Sequence, residues 1–137
     1  MRRVYLDTSA LLPLLDGDDR DHVAVTKALT HIVESQAMLV TSSYTLVEAG
    51  ALVKRRLGVT VFQALGETID QSTEVIWVDE ELHRRAWAKA AEEPRRGPSL
   101  VDWVGFLVMR DLGVDSALAI DNHFRRQGFR TLPYAHP

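Results

Sequence analysis

The chain has 137 residues, which suits a single domain, and its 46% apolar and 26% charged residues exclude a wholly disordered or fibrous protein. It contains no cysteine, which excludes disulfides, cysteine-bound zinc, iron–sulfur clusters and a thiol nucleophile. The net charge of −3 means that nucleic-acid binding would need local basic patches, and without a long apolar run we expect an intracellular, cytoplasmic protein.

Short apolar runs, typical of strands, alternate along the chain with longer segments that carry apolar residues at helical spacing. In the first half the predicted elements are a strand at Val4–Leu6, a short helix at Ala10–Leu15, a helix at about His22–Ser35, a strand at Met38–Val40 and a helix from Ser42 or Ser43 to Leu57. The acidic stretch Asp16–Asp21 suits the positive end of the helix that follows it, and Gly58 ends the third helix.

The second half of the chain continues this alternation. The predicted elements are a helix at roughly Val61–Asp70, a strand at Val75–Val78, a helix from Glu80 to about Glu92, a helix from Ser99 to Gly113, a strand at Ala117–Ile120, a short helix at Asn122–Gln127 and a strand at Phe129–Leu132. Pro94–Pro98 is the clearest break and predicts an exposed loop. The alternation predicts one α/β domain over residues 1–137, with a parallel sheet covered by helices on both faces.

Four acidic residues stand where the predicted elements meet. Asp7 and Asp121 directly follow predicted strands, and Glu48 and Asp102 lie in the first turns of predicted helices. Strand ends and helix starts share one edge of an open parallel sheet, so these four acids would converge there. Two carboxylates about 4 Å apart repel by roughly 4 kcal/mol at an effective dielectric constant near 20, which favours protonation or a bound cation.

Carboxylates without cysteine or clustered histidine favour Mg²⁺ or Mn²⁺ as that cation. Such ions activate water and stabilise the charge of a phosphodiester during hydrolysis. A structural role is open for each acid as well: Thr45–Glu48 and Ser99–Asp102 fit capping boxes, while Asp7 and Asp121 fit helix N-caps. Capping and catalysis are compatible. The sequence lacks dinucleotide-binding, phosphate-loop, zinc-protease and serine-hydrolase motifs.

With these motifs in place, the chain resembles the PIN-domain ribonucleases, and most closely the VapC toxins of bacterial and archaeal toxin–antitoxin pairs. The motifs that carry the resemblance are Val4–Leu11 (VYLDTSAL), Thr41–Glu48 (TSSYTLVE), Ser99–Asp102 (SLVD) and Ala117–Phe124 (ALAIDNHF). Each motif is short, but four in order across Val4–Leu132 are specific. The resemblance implies a PIN-like three-layer α/β/α sandwich whose five-stranded parallel sheet has the order 3-2-1-4-5.

The resemblance also implies a function for the four acids. Asp7, Glu48, Asp102 and Asp121 would form the catalytic site of a Mg²⁺-dependent endoribonuclease, with Mn²⁺ as another cation that fits. Asp7, Asp102 and Asp121 would be direct metal ligands, and Glu48 would act through water or a second ion. A homodimer, an RNA substrate and a cognate antitoxin that blocks the acidic site are implied too.

Two aromatic residues beside the acids allow two interpretations each. Trp103 stands where relatives often carry a small residue or cysteine, and it either packs in the core or stacks on an RNA base. His123 belongs to the family pattern D-x-H-F and is interpreted as structural, with acid–base catalysis as the alternative.

RNA contact would come from four basic clusters, most of which also fit solvated surfaces. The clusters are Lys54–Arg56, Arg84–Arg85 with Lys89, Arg95–Arg96 and Arg125–Arg126.

Two further functions remain as alternatives at this point. One is a catalytically silent PIN-fold module that binds RNA or protein. The other is a phosphoryl-accepting domain with Asp7 or Asp121 as the acceptor, which needs a lysine beside a strand end. Lys27, Lys54 and Lys89 all fall inside predicted helices, which disfavours the second alternative.

Overall fold

The computed structural model describes residues 2–133, so the predicted domain over residues 1–137 extends slightly beyond the described part. Five strands form one parallel sheet in the order β3-β2-β1-β4-β5, as predicted. The strands are β1 (Arg3–Leu6), β2 (Met38–Ser42), β3 (Thr73–Ile76), β4 (Ser116–Leu118) and β5 (Arg130–Leu132). The register pairs Tyr5 of the central strand with Val40 on one side and with Ala117 on the other.

Seven helices within residues 2–133 connect these strands. They are α1 (Thr8–Leu15), α2 (His22–Glu34), α3 (Ser43–Leu57), α4 (Val59–Ser72), α5 (Glu80–Ala91), α6 (Leu100–Leu112) and α7 (His123–Arg126). All three lysines lie inside helices, as predicted. Within residues 2–133, no helix combines the length and the apolar character that a membrane span requires.

The two faces of the sheet carry separate apolar cores. Side chains alternate along a strand, so Val4 and Leu6 face one core while Tyr5 between them faces the other. Helices α1 to α4 cover the face of Val4 and Leu6, whereas α5, α6 and α7 cover the face of Tyr5. The predicted three-layer sandwich is therefore confirmed.

Helix α6 lies close against the central strand because residue 105 is a glycine. A Cβ atom added to Gly105 would lie 3.0 Å from Cε1 of Tyr5 and 3.2 Å from Cζ of Phe124. Phe106, fully buried beside it, packs edge-on against Phe124 with ring centroids 4.8 Å apart. This contact fixes the start of α6 relative to the end of β1.

Three predicted strand ends are wrong: the second strand continues beyond Val40 to Ser42, and the third and fourth strands end earlier than predicted. Local hydrogen bonds explain the two early ends. The third strand ends at Ile76, because the Val78 amide donates to Ser43 Oγ at 2.9 Å instead of continuing the ladder. The fourth strand ends at Leu118, and the Ile120 amide donates to Ser9 Oγ at 2.9 Å. Asp121 therefore does not directly follow a strand, although its loop still lies at the carboxyl edge of the sheet.

Candidate active site

Asp7 follows the central strand and caps α1, as predicted. Its carboxylate accepts hydrogen bonds from the Ser9 amide at 3.1 Å and from the Ser9 hydroxyl at 2.7 Å. The side chain is almost fully buried, with 3% of the residue exposed. A buried carboxylate needs such partners, because burial without them strongly disfavours the charged form.

Asp102 stands in the first turn of α6 and forms the predicted capping box with Ser99. The Ser99 amide donates to Asp102 Oδ2 at 2.9 Å, and the Asp102 amide donates to Ser99 Oγ at 3.1 Å. One carboxylate oxygen is thus held by the backbone, which fixes the side chain and leaves the other oxygen available to a cation.

Asp121 lies in the loop between β4 and α7. It precedes the N-cap residue Asn122, so the prediction that Asp121 itself is the N-cap is wrong by one position. Its Oδ1 nevertheless accepts a hydrogen bond from the His123 amide at 2.8 Å, which is the turn that aspartate commonly forms with the residue two positions later. The carboxylate is therefore oriented by the backbone, as at Asp102.

Ser9 connects the two strand ends that carry Asp7 and Asp121. Its hydroxyl donates to Asp7 Oδ2 and accepts the Ile120 amide, with a longer contact of 3.4 Å to the Asp121 amide. Its role was not predicted from the sequence. The spacing Asp-x-Ser is the available signal, since aspartate two residues before serine favours a local side-chain turn.

Asp102, Asp121 and His123 come together in space. A carboxylate oxygen from each aspartate and a ring nitrogen of His123 all lie within 4.8 Å of one another. Ligands on opposite sides of a Mg²⁺ ion are about 4.2 Å apart. The group therefore offers suitable donor atoms close enough together to hold a small divalent cation.

The charges of Asp102 and Asp121 affect the pKa of Asp7, although Asp7 is not part of the group formed by Asp102, Asp121 and His123. Burial raises the pKa of Asp7 to about 7, the hydrogen bonds from Ser9 oppose the rise, and the charges of Asp102 and Asp121 add to it. Burial also raises the pKa of Asp102, against the bonds from Ser99, and the charge of Asp121 adds to that rise. The predicted repulsion between the acids is thus present, and it favours uptake of a proton or a cation.

Glu48 lies farther from the other acidic residues than the resemblance implies. It is half-buried and lies outside the 4.8 Å group. The capping box predicted for Thr45 and Glu48 is wrong, because α3 begins earlier and Ser42 is the N-cap, accepting the Thr45 amide at 3.1 Å. The Thr45 hydroxyl is instead hydrogen-bonded to the hydroxyl of Tyr5 at 3.1 Å.

Trp103 packs in the core, which decides between its two predicted roles. Only 6% of the residue is exposed, its ring meets Phe106 edge-on, and its Nε1 donates to Glu93 Oε1 at 3.1 Å. It is therefore not available to stack on an RNA base in this arrangement. His123, interpreted from the sequence as structural with acid–base catalysis as the alternative, lies beside the carboxylates of Asp102 and Asp121.

The basic clusters differ in how their charges are used. Arg84 pairs with Glu80, and Arg85 pairs with Asp111 through two hydrogen bonds of 2.9 and 3.1 Å. Arg95 and Arg96 are exposed in the loop that leads to Ser99 and Asp102. Of these two clusters, the Arg95–Arg96 pair is therefore better placed to meet a phosphate near the acids.

Comparison with known proteins agrees with this fold. The model of the PIN domain family matches residues 4–129. Two curated relatives from Mycobacterium tuberculosis strains CDC 1551/Oshkosh and ATCC 25618/H37Rv, both named 23S rRNA-specific endonuclease VapC20, are 28% identical over 127 residues, covering 92% of this chain and 95% of theirs. The crystal structure of the M. tuberculosis protein, described as a sarcin–ricin-loop-cleaving toxin, matches with a TM-score of 0.80 and 29% identity over 92% of this chain and 95% of that chain. These findings confirm the family predicted from the four motifs: the chain belongs to the PIN-domain family.

Proposed function

We propose that this chain is a Mg²⁺-dependent endoribonuclease and the toxin of a toxin–antitoxin pair. The ribonuclease class predicted from the sequence agrees with the names of the curated relatives. The observation that carries the proposal is the convergence of Asp7, Asp102 and Asp121 from three separate segments to one edge of the sheet. In the proposed reaction, water adds to the phosphorus of an RNA phosphodiester and the bond to the leaving ribose oxygen breaks.

Asp102 and Asp121 would hold the metal ion, with Asp7 as a third ligand and Glu48 acting through water or a second ion. When bound, the ion would lower the pKa of water and offset negative charge on the phosphate. The protein orients the ligands through backbone hydrogen bonds to Asp102 and Asp121, and through Ser9 to Asp7. Without a cation, the raised pKa of Asp7 lets its carboxyl group hold a proton near neutral pH.

The substrate and the antitoxin follow from the relatives rather than from the geometry. Because the relatives named above act on 23S rRNA, ribosomal RNA is the first substrate to test for this chain. The cognate antitoxin would cover the acidic site and keep RNA out. Such a substrate would place the protein in the cytoplasm, where ribosomes lie.

A homodimer is supported by a surface cluster in which the half-buried rings of Tyr44 and His83 pack beside the exposed ring of Trp87, and by two further exposed apolar side chains, Val47 and Trp77. Tyr44 is hydrogen-bonded to His83, whose ring lies 5.6 Å from that of Trp87 between centroids. Trp77 is 76% exposed, Val47 73% and Trp87 60%. Exposed apolar and aromatic side chains of this kind are typical of protein interfaces. We expect Trp87→Glu to shift the protein to a monomer in light scattering, while Val23→Glu on α2 leaves its mass unchanged.

Cleavage of total RNA by the purified protein tests the proposed function. Discrete fragments should form with Mg²⁺, and they should disappear with EDTA or in the Asp7→Asn variant. The matched control is Asp70→Asn, which removes an exposed carboxylate on α4 and should cut normally. If folded, metal-loaded protein free of antitoxin cuts nothing but binds RNA or protein, the chain is a silent PIN-fold binding module.

A further inference from the structure

We propose that the imidazole of His123 is a direct ligand of the metal ion, so that the site binds Mn²⁺ in preference to Mg²⁺. This inference rests on the metal site of the proposed function and adds a residue to it. The carboxylates alone suit either ion, because both accept oxygen ligands. A nitrogen ligand separates them, since imidazole suits first-row transition metals better than Mg²⁺.

The position of His123 is fixed by the same turn that orients Asp121. The His123 amide donates to Asp121 Oδ1, and the following residue, Phe124, is fully buried among the core aromatics. The backbone of His123 is thus anchored on both sides of its side chain. A ring nitrogen consequently lies within 4.8 Å of carboxylate oxygens of both Asp102 and Asp121.

The ring also contains an atom without a partner. Within residues 2–133, His123 Nδ1 is buried and forms no hydrogen bond. Metal-bound histidines usually bond the metal through one nitrogen and a hydrogen-bond partner through the other, whereas a purely structural buried histidine normally has its nitrogens satisfied by the protein. A ring that lies beside two oriented carboxylates and has a buried nitrogen without a partner fits a histidine that is completed by a cation.

The resulting set of metal ligands consists of two carboxylates, from Asp102 and Asp121, and the imidazole of His123. The other histidines that the structure describes lie elsewhere: His22 bonds to the carbonyl of Pro13, His83 bonds to Tyr44, and His31 is exposed on α2. Among the histidines of residues 2–133, a nitrogen signal from a bound metal ion would therefore point to His123. His31 offers a matched control, because replacing it removes an imidazole without touching the site.

Pulsed electron paramagnetic resonance of the full chain loaded with Mn²⁺ tests this inference directly. The wild-type protein should show ¹⁴N coupling from one imidazole, His31→Asn should keep it, and His123→Asn and His123→Gln should lose it. By calorimetry, both His123 variants should lose at least about tenfold in Mn²⁺ affinity, since even outer-shell partners account for about 10- to 100-fold at metal sites. Mg²⁺ affinity should change less, because each amide side chain offers oxygen in place of nitrogen.

The outcomes separate this inference from the proposed function. Saturable Mn²⁺ binding without ¹⁴N coupling in the wild-type protein overturns the ligand role of His123 and leaves the nuclease proposal intact. Coupling that persists in both His123 variants assigns the nitrogen to another residue and overturns it equally. If neither Mn²⁺ nor Mg²⁺ binds, the inference and the metal-dependent reaction fail together. A wild-type spectrum without ¹⁴N coupling overturns the ligand role of His123 even if a variant does not fold.

Discussion

The core beneath α6 and the carboxyl edge of the sheet are neighbours, yet they are built in opposite ways. In the core, Tyr5, Phe106 and Phe124 are fully buried against one another, and even the Tyr5 hydroxyl has a partner in Thr45. At the edge, carboxylates crowd together with raised pKa values. Within residues 2–133, the buried side-chain polar atoms without a hydrogen bond are Thr8 Oγ1 and His123 Nδ1, one beside Asp7 and one near Asp121.

The difference shows that the core stabilises the fold, whereas the carboxyl edge lowers its stability. Packed aromatic side chains stabilise the fold through buried apolar area, whereas unneutralised buried carboxylates destabilise it. Functional sites commonly reduce stability in this way. Variants of the two regions should therefore separate activity from stability.

The largest effect on activity should come from a substitution of Asp102 at the carboxyl edge. Asp102→Asn keeps the size of the side chain but removes the charge that holds a cation. We expect RNA cleavage to fall by at least about 10²- to 10³-fold, the range typical of removing one electrostatic contact to a transition state. The melting temperature without metal should not fall, since the substitution relieves repulsion with Asp121. A variant that cuts RNA at the wild-type rate would contradict the assigned site.

A substitution in the core should lower stability and leave metal binding by the folded protein unchanged. Phe106→Ala removes a fully buried ring that contacts Trp103, Phe124 and Phe129. Truncating a buried phenylalanine destabilises proteins by about 3–5 kcal/mol. Urea unfolding should show a loss of this size, while the fraction that remains folded should still bind Mn²⁺. A loss under 1 kcal/mol, well below that range, would show that this core is looser than its geometry indicates.

The ionisation of Asp7 should make the stability of the carboxyl edge depend on pH. The pKa of Asp7 is about 7 in the folded chain against an ordinary value of 3.8. Between these values the folded state binds more protons than the unfolded state, so stability falls as pH rises through that window and stays low above it. Asp7→Asn removes this dependence.

In EDTA we therefore expect Asp7→Asn to match the wild-type protein at pH 4 and to exceed its unfolding free energy at pH 8, by at most about 4 kcal/mol. Chemical denaturation at the two pH values measures this difference. Saturating Mg²⁺ should narrow the gap at pH 8 by stabilising the ionised wild-type site. An equal pH slope in the two proteins would mean that Asp7 titrates normally.

The smallest effect should come from the exposed loop before α6. Replacing Arg95 and Arg96 together with alanine removes two cations that could meet RNA phosphates. We expect RNA affinity at low salt to fall by about tenfold, and the slope of affinity against salt to flatten by about one to two units. Filter binding at several salt concentrations measures both, with the inactive Asp102→Asn background preventing cleavage. The paired residues Arg84 and Glu80, replaced together, provide a charge-neutral control.

Periodicity predicted every helix and strand of the described chain, but not where each one ends. Strand ends at Ile76 and Leu118 depend on Ser43 and Ser9, which lie far away in sequence and take amide hydrogens out of the ladder. The strand order came from family resemblance, since spacing alone does not determine which strands are neighbours.

The candidate site was predicted in part for a similar reason. Asp7 and Asp102 have local signals, a strand end and a capping box, and both lie where predicted. His123 stands in the pattern D-x-H-F, but the pattern does not show that its ring reaches Asp102, because that contact exists only once α6 and α7 are packed together. The box predicted at Thr45 failed because Ser42, three residues earlier, caps the helix first.

The hydrogen bond between Ser9 and Ile120 has a consequence for synthesis of the chain. It joins residues 111 positions apart, so the site is assembled from the first and last parts of the described fold. A growing chain adds its C-terminal strands last, and β1 cannot pair with β4 until they have emerged from the ribosome. The nascent protein consequently lacks a complete acidic site until β4 and the loop that carries Asp121 have been synthesised.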